Sequence, residues 1–147
     1  MDTIMQNWPQ LAPFVTSLIA LGILCVAVLV QSVLAGALAL APGHQSPGIP
    51  LKGGHEDRSF RVMRTYANST ENLPAIIAAI VLAIVAGVSP FWVNLLVGIH
   101  VAARLIHWAI YYAGFGASAG GPRTMIYVLG LVANIVLVVM ALWALIG

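Results

Sequence analysis

The chain has 147 residues, of which 61% are hydrophobic and 7% charged, and its mean hydropathy is +1.01. That balance excludes a water-soluble globule of this length, and a net charge of +2 is too small to argue for a nucleic-acid partner. The single cysteine, Cys25, excludes an intrachain disulfide and reads as a packed or lipid-facing thiol.

The opening stretch MDTIMQNWPQ carries an acid and no Lys or Arg. The apolar run behind it exceeds the roughly 7–15 residues of a signal-peptide core, so the expectation is a retained transmembrane helix over residues 13–41. The connection APGHQSPGIPLKGGHED is too rich in Pro and Gly for regular helix. Its two histidines, His44 and His55, have no cysteine or third ligand nearby, and no metal site is expected. From Leu73 onward the next apolar run falls short of the roughly 20 residues that cross a bilayer. The second helix must therefore begin near Arg58, span 58–88, and carry polar residues into the membrane. Pro74 is expected to kink it, since proline removes a backbone donor. After the uncharged connection GVSP comes a third helix over 91–114. A fourth, over 123–146, follows GFGASAGGP, which lacks the Lys-Ser/Thr of a phosphate-binding loop. Pro122 suits the first turn of that helix. With no internal repeat and no heptad array, the expected architecture is one all-α integral-membrane domain, a bundle of four transmembrane helices.

Every Lys and Arg lies in or beside two connections: Lys52, Arg58, Arg61 and Arg64 at the first, Arg104 and Arg123 at the third. The positive-inside rule then places connections one and three in the cytoplasm and both termini outside. In a bacterium this would be a multi-pass protein of the inner membrane. Trp8, Trp92 and Trp143 fit an interfacial aromatic belt, and Trp108 reads as packing.

Polar residues recur along these helices at helical spacing. Arg61, Arg64, Asn68 and Glu71 are separated by 3, 4 and 3 and share one face. Arg104, His107 and Tyr111 step by 3 and 4, and Arg123 steps by 4 to Tyr127 with Thr124 beside it. Each stripe lies toward the same end of the bundle, and Glu71 sits about 20 Å along its helix from Arg58. An ionised group at the bilayer centre costs on the order of 3 kcal/mol on insertion scales. Such groups persist only when they face one another or a wet cavity. One reading is that Glu71 pairs with Arg64 or Arg104 and the stripes glue the bundle. The other follows from charge: Arg64, Arg104 and Arg123 against Glu71 leave two positive charges in excess, which an anionic ligand would neutralise. A molecule with two carboxylates and one ammonium suits three arginines and one glutamate, and the hydroxyls of Tyr111 and Tyr127 add donors. His100 reads as packing or a hydrogen bond, and Asn134 as an interhelical hydrogen bond.

At these residues the chain resembles the membrane-associated proteins in eicosanoid and glutathione metabolism, the MAPEG family. The family pattern Arg-x-x-Arg-x-x-x-Asn-x-x-Glu is filled by RVMRTYANSTE, the pattern Arg-x-x-His/Tyr-x-x-x-Tyr by RLIHWAIY, and Arg-Ser/Thr-x-x-Tyr by RTMIY. The resemblance covers nearly all of the chain, with the motifs in the right order. It implies a homotrimer in the lipid bilayer that binds glutathione between neighbouring subunits at the cytoplasmic leaflet. By position, Arg64, Asn68, Glu71, Arg104, His107, Tyr111, Thr124 and Tyr127 would bind the tripeptide, and Arg123 would be the catalytic group beside its sulfur. A free thiol has a pKa of roughly 8.5, and a neighbouring guanidinium favours the nucleophilic thiolate. The implied activity is a glutathione transferase or peroxidase acting on hydrophobic electrophiles, with glutathione as cosubstrate and no metal. The alternative is a non-catalytic binding or accessory subunit of the same fold in a larger assembly. Ala67, where the prostaglandin E synthase branch has another arginine, makes a prostaglandin or leukotriene synthase a poor match. So does a first helix without Lys or Arg, and the third connection is longer and richer in glycine than the family leads one to expect. A channel is disfavoured because the outer halves of the helices offer almost no polar path.

Overall fold

The computed structural model describes residues 6–39, 52–115 and 120–147. His44 and most of the first connection lie outside the described residues, as do residues 116–119 of the third. A 3-10 turn over Pro9–Phe14 leads into α1, Val15–Ala39, followed by α2, Arg58–Val85; α3, Pro90–Tyr112; and α4, Pro122–Ile146. All four helices are long and apolar enough to cross a membrane. The protein is an all-α, multi-pass integral-membrane bundle.

The helix ends follow local chemistry. The Asp57 side chain caps α2 by accepting from the Ser59 N–H at 2.8 Å. Pro90 and Pro122 open α3 and α4, where their missing N–H is not needed. Gly87, at φ +73°, takes the left-handed position after α2, and the Val88 N–H closes onto the Ala83 carbonyl at 2.9 Å. That tight turn ends α2 at Val85, three residues before the expected boundary. Gly114, at φ +77°, plays the same part after α3, where the Phe115 N–H reaches the Ile110 carbonyl at 3.1 Å. α2 runs through Pro74 as one continuous helix.

The core is built from Ile76, Ala79, Ile80 and Ala83 of α2, Val93, Leu96, Val97 and Val101 of α3, and Ala133, Leu137 and Ala141 of α4. Phe14 and Leu24 close it from the α1 side. The outward faces carry large apolar side chains, among them Leu29, Val33, Val81 and Val139. In water such a surface would aggregate, whereas in a bilayer it meets lipid. Trp8, Trp92 and Trp143 are exposed near one end of the bundle, as an interfacial belt requires. At that end Asn94 of α3 ties down the start of α1. It accepts from the Ser17 N–H at 3.1 Å and from the Ser17 hydroxyl at 2.6 Å, and donates to the Pro13 carbonyl at 2.8 Å.

Candidate functional site

At the opposite end, α2, α3 and α4 separate around a cavity of about 440 Å³, within the roughly 300–1,000 Å³ of small-molecule sites. Its walls are the three polar stripes. Arg64, Asn68 and Glu71 come from α2, His107 and Tyr111 from α3, and Arg123, Thr124 and Tyr127 from α4. On α2 the adjoining stripe of Thr65, Ser69, Ile76 and Ile80 is buried in the bundle, which turns the charged stripe toward the opening.

The side chains of this cavity are held by one another. The rings of His107 and Tyr111 stack with centroids 5.6 Å apart, and His107 lies 5.9 Å from the Tyr127 ring. The Arg123 guanidinium sits over the Tyr111 ring, 4.7 Å from its centroid, a cation–π arrangement that fixes the cation above the aromatic floor. Arg64 and Glu71, seven residues apart on α2, approach to 3.9 Å at the rim. Both are about half exposed, so this pair by itself stabilises little. His107 is 6% exposed, and its Nδ1 has no partner among the described residues. A buried, unpaired ring nitrogen on a cavity wall is costly unless something polar meets it there.

Two arginines of the stripes stand outside the wall. Arg104 is 6% exposed, donates to Asn68 Oδ1, and packs 5.5 Å from the Tyr127 ring. It sits one layer behind the cavity and holds the Asn68 amide in place. Glu71 has its arginine contact with Arg64, while Arg104 is engaged by Asn68. Arg61, on the same face by spacing, turns back over the helix start and donates from Nη1 to the carbonyls of His55 and Glu56, both at 2.9 Å.

Spacing did not reveal two residues of the cavity. His55 and Phe60 line it from the first connection and the start of α2. The available signal was proximity: His55 lies just before the Asp57 cap, so the chain must pass the cavity mouth as it enters α2. Other polar residues serve the bundle. His100 donates from Nδ1 to the Gly130 carbonyl at 2.9 Å, joining α3 to α4. Asn134 is buried, and its Oδ1 has no partner among the described residues.

Fold and site together define a four-span membrane protein with a cation-rich cavity opening at one end. The model of the MAPEG family matches residues 13–143, and the chain belongs to the MAPEG family. No curated protein and no solved structure matches it. Proteins of this family are in general membrane-embedded, and their activities are glutathione-related transfer and peroxide reduction or eicosanoid metabolism.

Proposed function

We propose that this protein is a membrane glutathione transferase or peroxidase that attacks hydrophobic electrophiles with the thiolate of glutathione. The observation that carries the reading is the excess of positive charge around the cavity. Among the described residues, Arg64 and Arg123 on its wall and Arg104 behind it stand against a single lining carboxylate, Glu71. Glutathione brings two carboxylates, one ammonium and a thiol, which matches that set. In this reading Arg64, Asn68 and Glu71 bind the charged ends of the tripeptide, His107 Nδ1 gains a polar partner, and Tyr127 and Thr124 donate from α4. Arg123 stabilises the thiolate, which displaces a leaving group from an electrophilic carbon as the carbon–sulfur bond forms.

The half-exposed Arg64 and Glu71 also support a homotrimer. Both lie within a membrane-spanning helix, and a single chain in a bilayer would present them sideways to lipid. A neighbouring copy covering that face removes the penalty and completes the site. Lys52, Arg58, Arg61, Arg64, Arg104 and Arg123 all cluster at the cavity end, which supports a cytoplasmic mouth with the termini outside. Glutathione would then arrive from the cytoplasm and the apolar electrophile from the bilayer.

Calorimetric titration of the detergent-solubilised protein with glutathione tests this reading, and absence of binding at millimolar glutathione would overturn it. A second reading, a non-catalytic subunit of the same fold, is favoured by Ala67 and by the absence of Lys or Arg from α1. Binding without any thiolate formation would decide for it.

A further inference from the structure

A thiol that becomes a thiolate must hand its proton to something, and one residue outside the helical stripes is placed to take it. His55 precedes α2, and its backbone is anchored by the Arg61 guanidinium, which donates to its carbonyl at 2.9 Å. Its ring meets Phe60 and Tyr111 edge-on, with centroids 5.3 Å and 5.6 Å away. His55 Nδ1 lies 2.7 Å from the Tyr111 hydroxyl and 3.1 Å from Arg123 Nη1. A guanidinium can only donate, so Nδ1 is an acceptor, its ring proton is on Nε2, and the Tyr111 O–H donates to it as well. Two donors from two helices thus converge on one lone pair.

We propose that His55 is the base that accepts the thiol proton of glutathione, an inference that rests on the reading of this cavity as a glutathione site. The S–H bond breaks, its proton bonds to Nδ1, and the electron pair stays on sulfur. Protonation uses up the lone pair that Tyr111 and Arg123 had been donating to. Both donors are thereby released to the new thiolate in the same step. After the sulfur has attacked, the imidazolium returns its proton to the leaving group or to water. No oxidant or further reactant is required.

The surroundings of His55 suit an acceptor. Burial first and the Arg123 charge second hold its imidazole below the ordinary 6.5, with Arg64 acting in the same direction and Glu56 against them. The ring is therefore neutral at pH 7. The groups that face it are Arg123 from α4, Tyr111 from α3, Arg64 from α2 and Glu56 from its own loop. A ligand that sets carboxylates against these arginines offsets the positive field and makes the imidazolium easier to form.

The test uses the protein in detergent and reads bound thiolate by its ultraviolet absorbance after rapid mixing with glutathione. His55→Gln keeps an acceptor oxygen but cannot take a proton. It should bind glutathione within about threefold of wild type while forming thiolate roughly 10²-fold more slowly at pH 7. The deficit should close as pH rises toward the roughly 8.5 of the free thiol. Added imidazole should restore part of the rate to His55→Ala and leave the wild type unchanged. A His55→Gln protein with wild-type rate and pH profile overturns the proposal and leaves the glutathione site standing. So does slow thiolate formation at every pH with no imidazole rescue, since a merely structural histidine behaves that way. A wild-type protein that neither binds glutathione nor forms thiolate overturns the site and His55's role together.

Discussion

Replacing Gly130 by alanine probes how closely α3 and α4 must approach to set the cavity. A Cβ at Gly130 would lie 3.2 Å from the Ala103 Cβ, and 3.7 Å from both Arg104 Cδ and the His100 carbonyl oxygen. Ala103 has no rotamer into which to retreat, so the helices must part by a few tenths of an ångström. That movement stretches the 2.9 Å bond from His100 to the Gly130 carbonyl. Overpacking of this kind costs about 1–3 kcal/mol, while the better helix propensity of alanine returns at most about 1 kcal/mol. A net loss of about 1 kcal/mol, at roughly 2–4 °C per kcal/mol for a chain of this size, lowers Tm by roughly 2–4 °C. Gly22→Ala is the control, because nothing lies within 4 Å of a Cβ there. Its Tm should stay level or rise by about 2 °C, from propensity alone. The assay is thermal melting in detergent, followed by tryptophan fluorescence. Since Tyr127 lies one turn before Gly130 and Arg104 touches it, glutathione affinity should fall severalfold as well. A Gly130→Ala protein that melts at or above the Gly22→Ala control would refute the close α3–α4 contact.

Other expectations follow from particular contacts. Asn94→Ala removes three hydrogen bonds and leaves the fully buried Ser17 hydroxyl without its acceptor. It should destabilise the protein by roughly 1–3 kcal/mol in a melting experiment. Glutathione affinity should be unchanged, because Asn94 is at the far end of the bundle, and a large loss of affinity would count against that placement. Glu71→Gln removes the one carboxylate that lines the cavity among the described residues, and glutathione should bind roughly 10–100-fold more weakly by calorimetry, the worth of one charge-assisted hydrogen bond. Unaltered affinity would show that Glu71 does not touch the ammonium. The pH dependence of the first connection follows from His55, whose imidazole is held below 6.5 by burial and by Arg123. The open loop therefore binds a proton more readily than the docked one. The docked form is fully favoured above about 6.5 and loses ground as pH falls toward the lower docked value. Hydrogen-exchange protection over residues 52–57, corrected for intrinsic rates, should drop between about pH 7.5 and pH 5.5 in wild type and stay level in His55→Gln. A flat wild-type profile would contradict the contact.

What could be read in the chain were the long-period features. Four apolar runs gave four helices, because a bilayer leaves few other ways to satisfy the backbone. The 3- and 4-residue steps from Arg64 to Glu71, from His107 to Tyr111 and from Arg123 to Tyr127 put those side chains on the walls of one cavity. Spacing fixes which face a residue shares but not how deep that face lies. Arg104 is accordingly a layer behind the wall, and Arg61 folds back over the loop. Pro74 was legible as a missing donor, but a helix packed on its neighbours absorbs one lost bond without breaking. His55 escaped because a Gly-rich loop has no period, and its position depends on where the Arg61 guanidinium reaches. Asn94 escaped for a similar reason: its partners, Ser17 and Pro13, lie 77 and 81 residues away.

On the proposed reading, this cavity holds glutathione as a thiolate against Arg123. Ultraviolet difference spectra of wild type and Arg123→Ala, each titrated with glutathione in detergent at pH 7, test it most directly. The wild type should show a saturable thiolate band. In Arg123→Ala that band should be lost at pH 7 and return only as pH approaches the roughly 8.5 of the free thiol, with glutathione still bound. A wild-type protein with no saturable band, or an Arg123→Ala protein whose band is undiminished at pH 7, would contradict it.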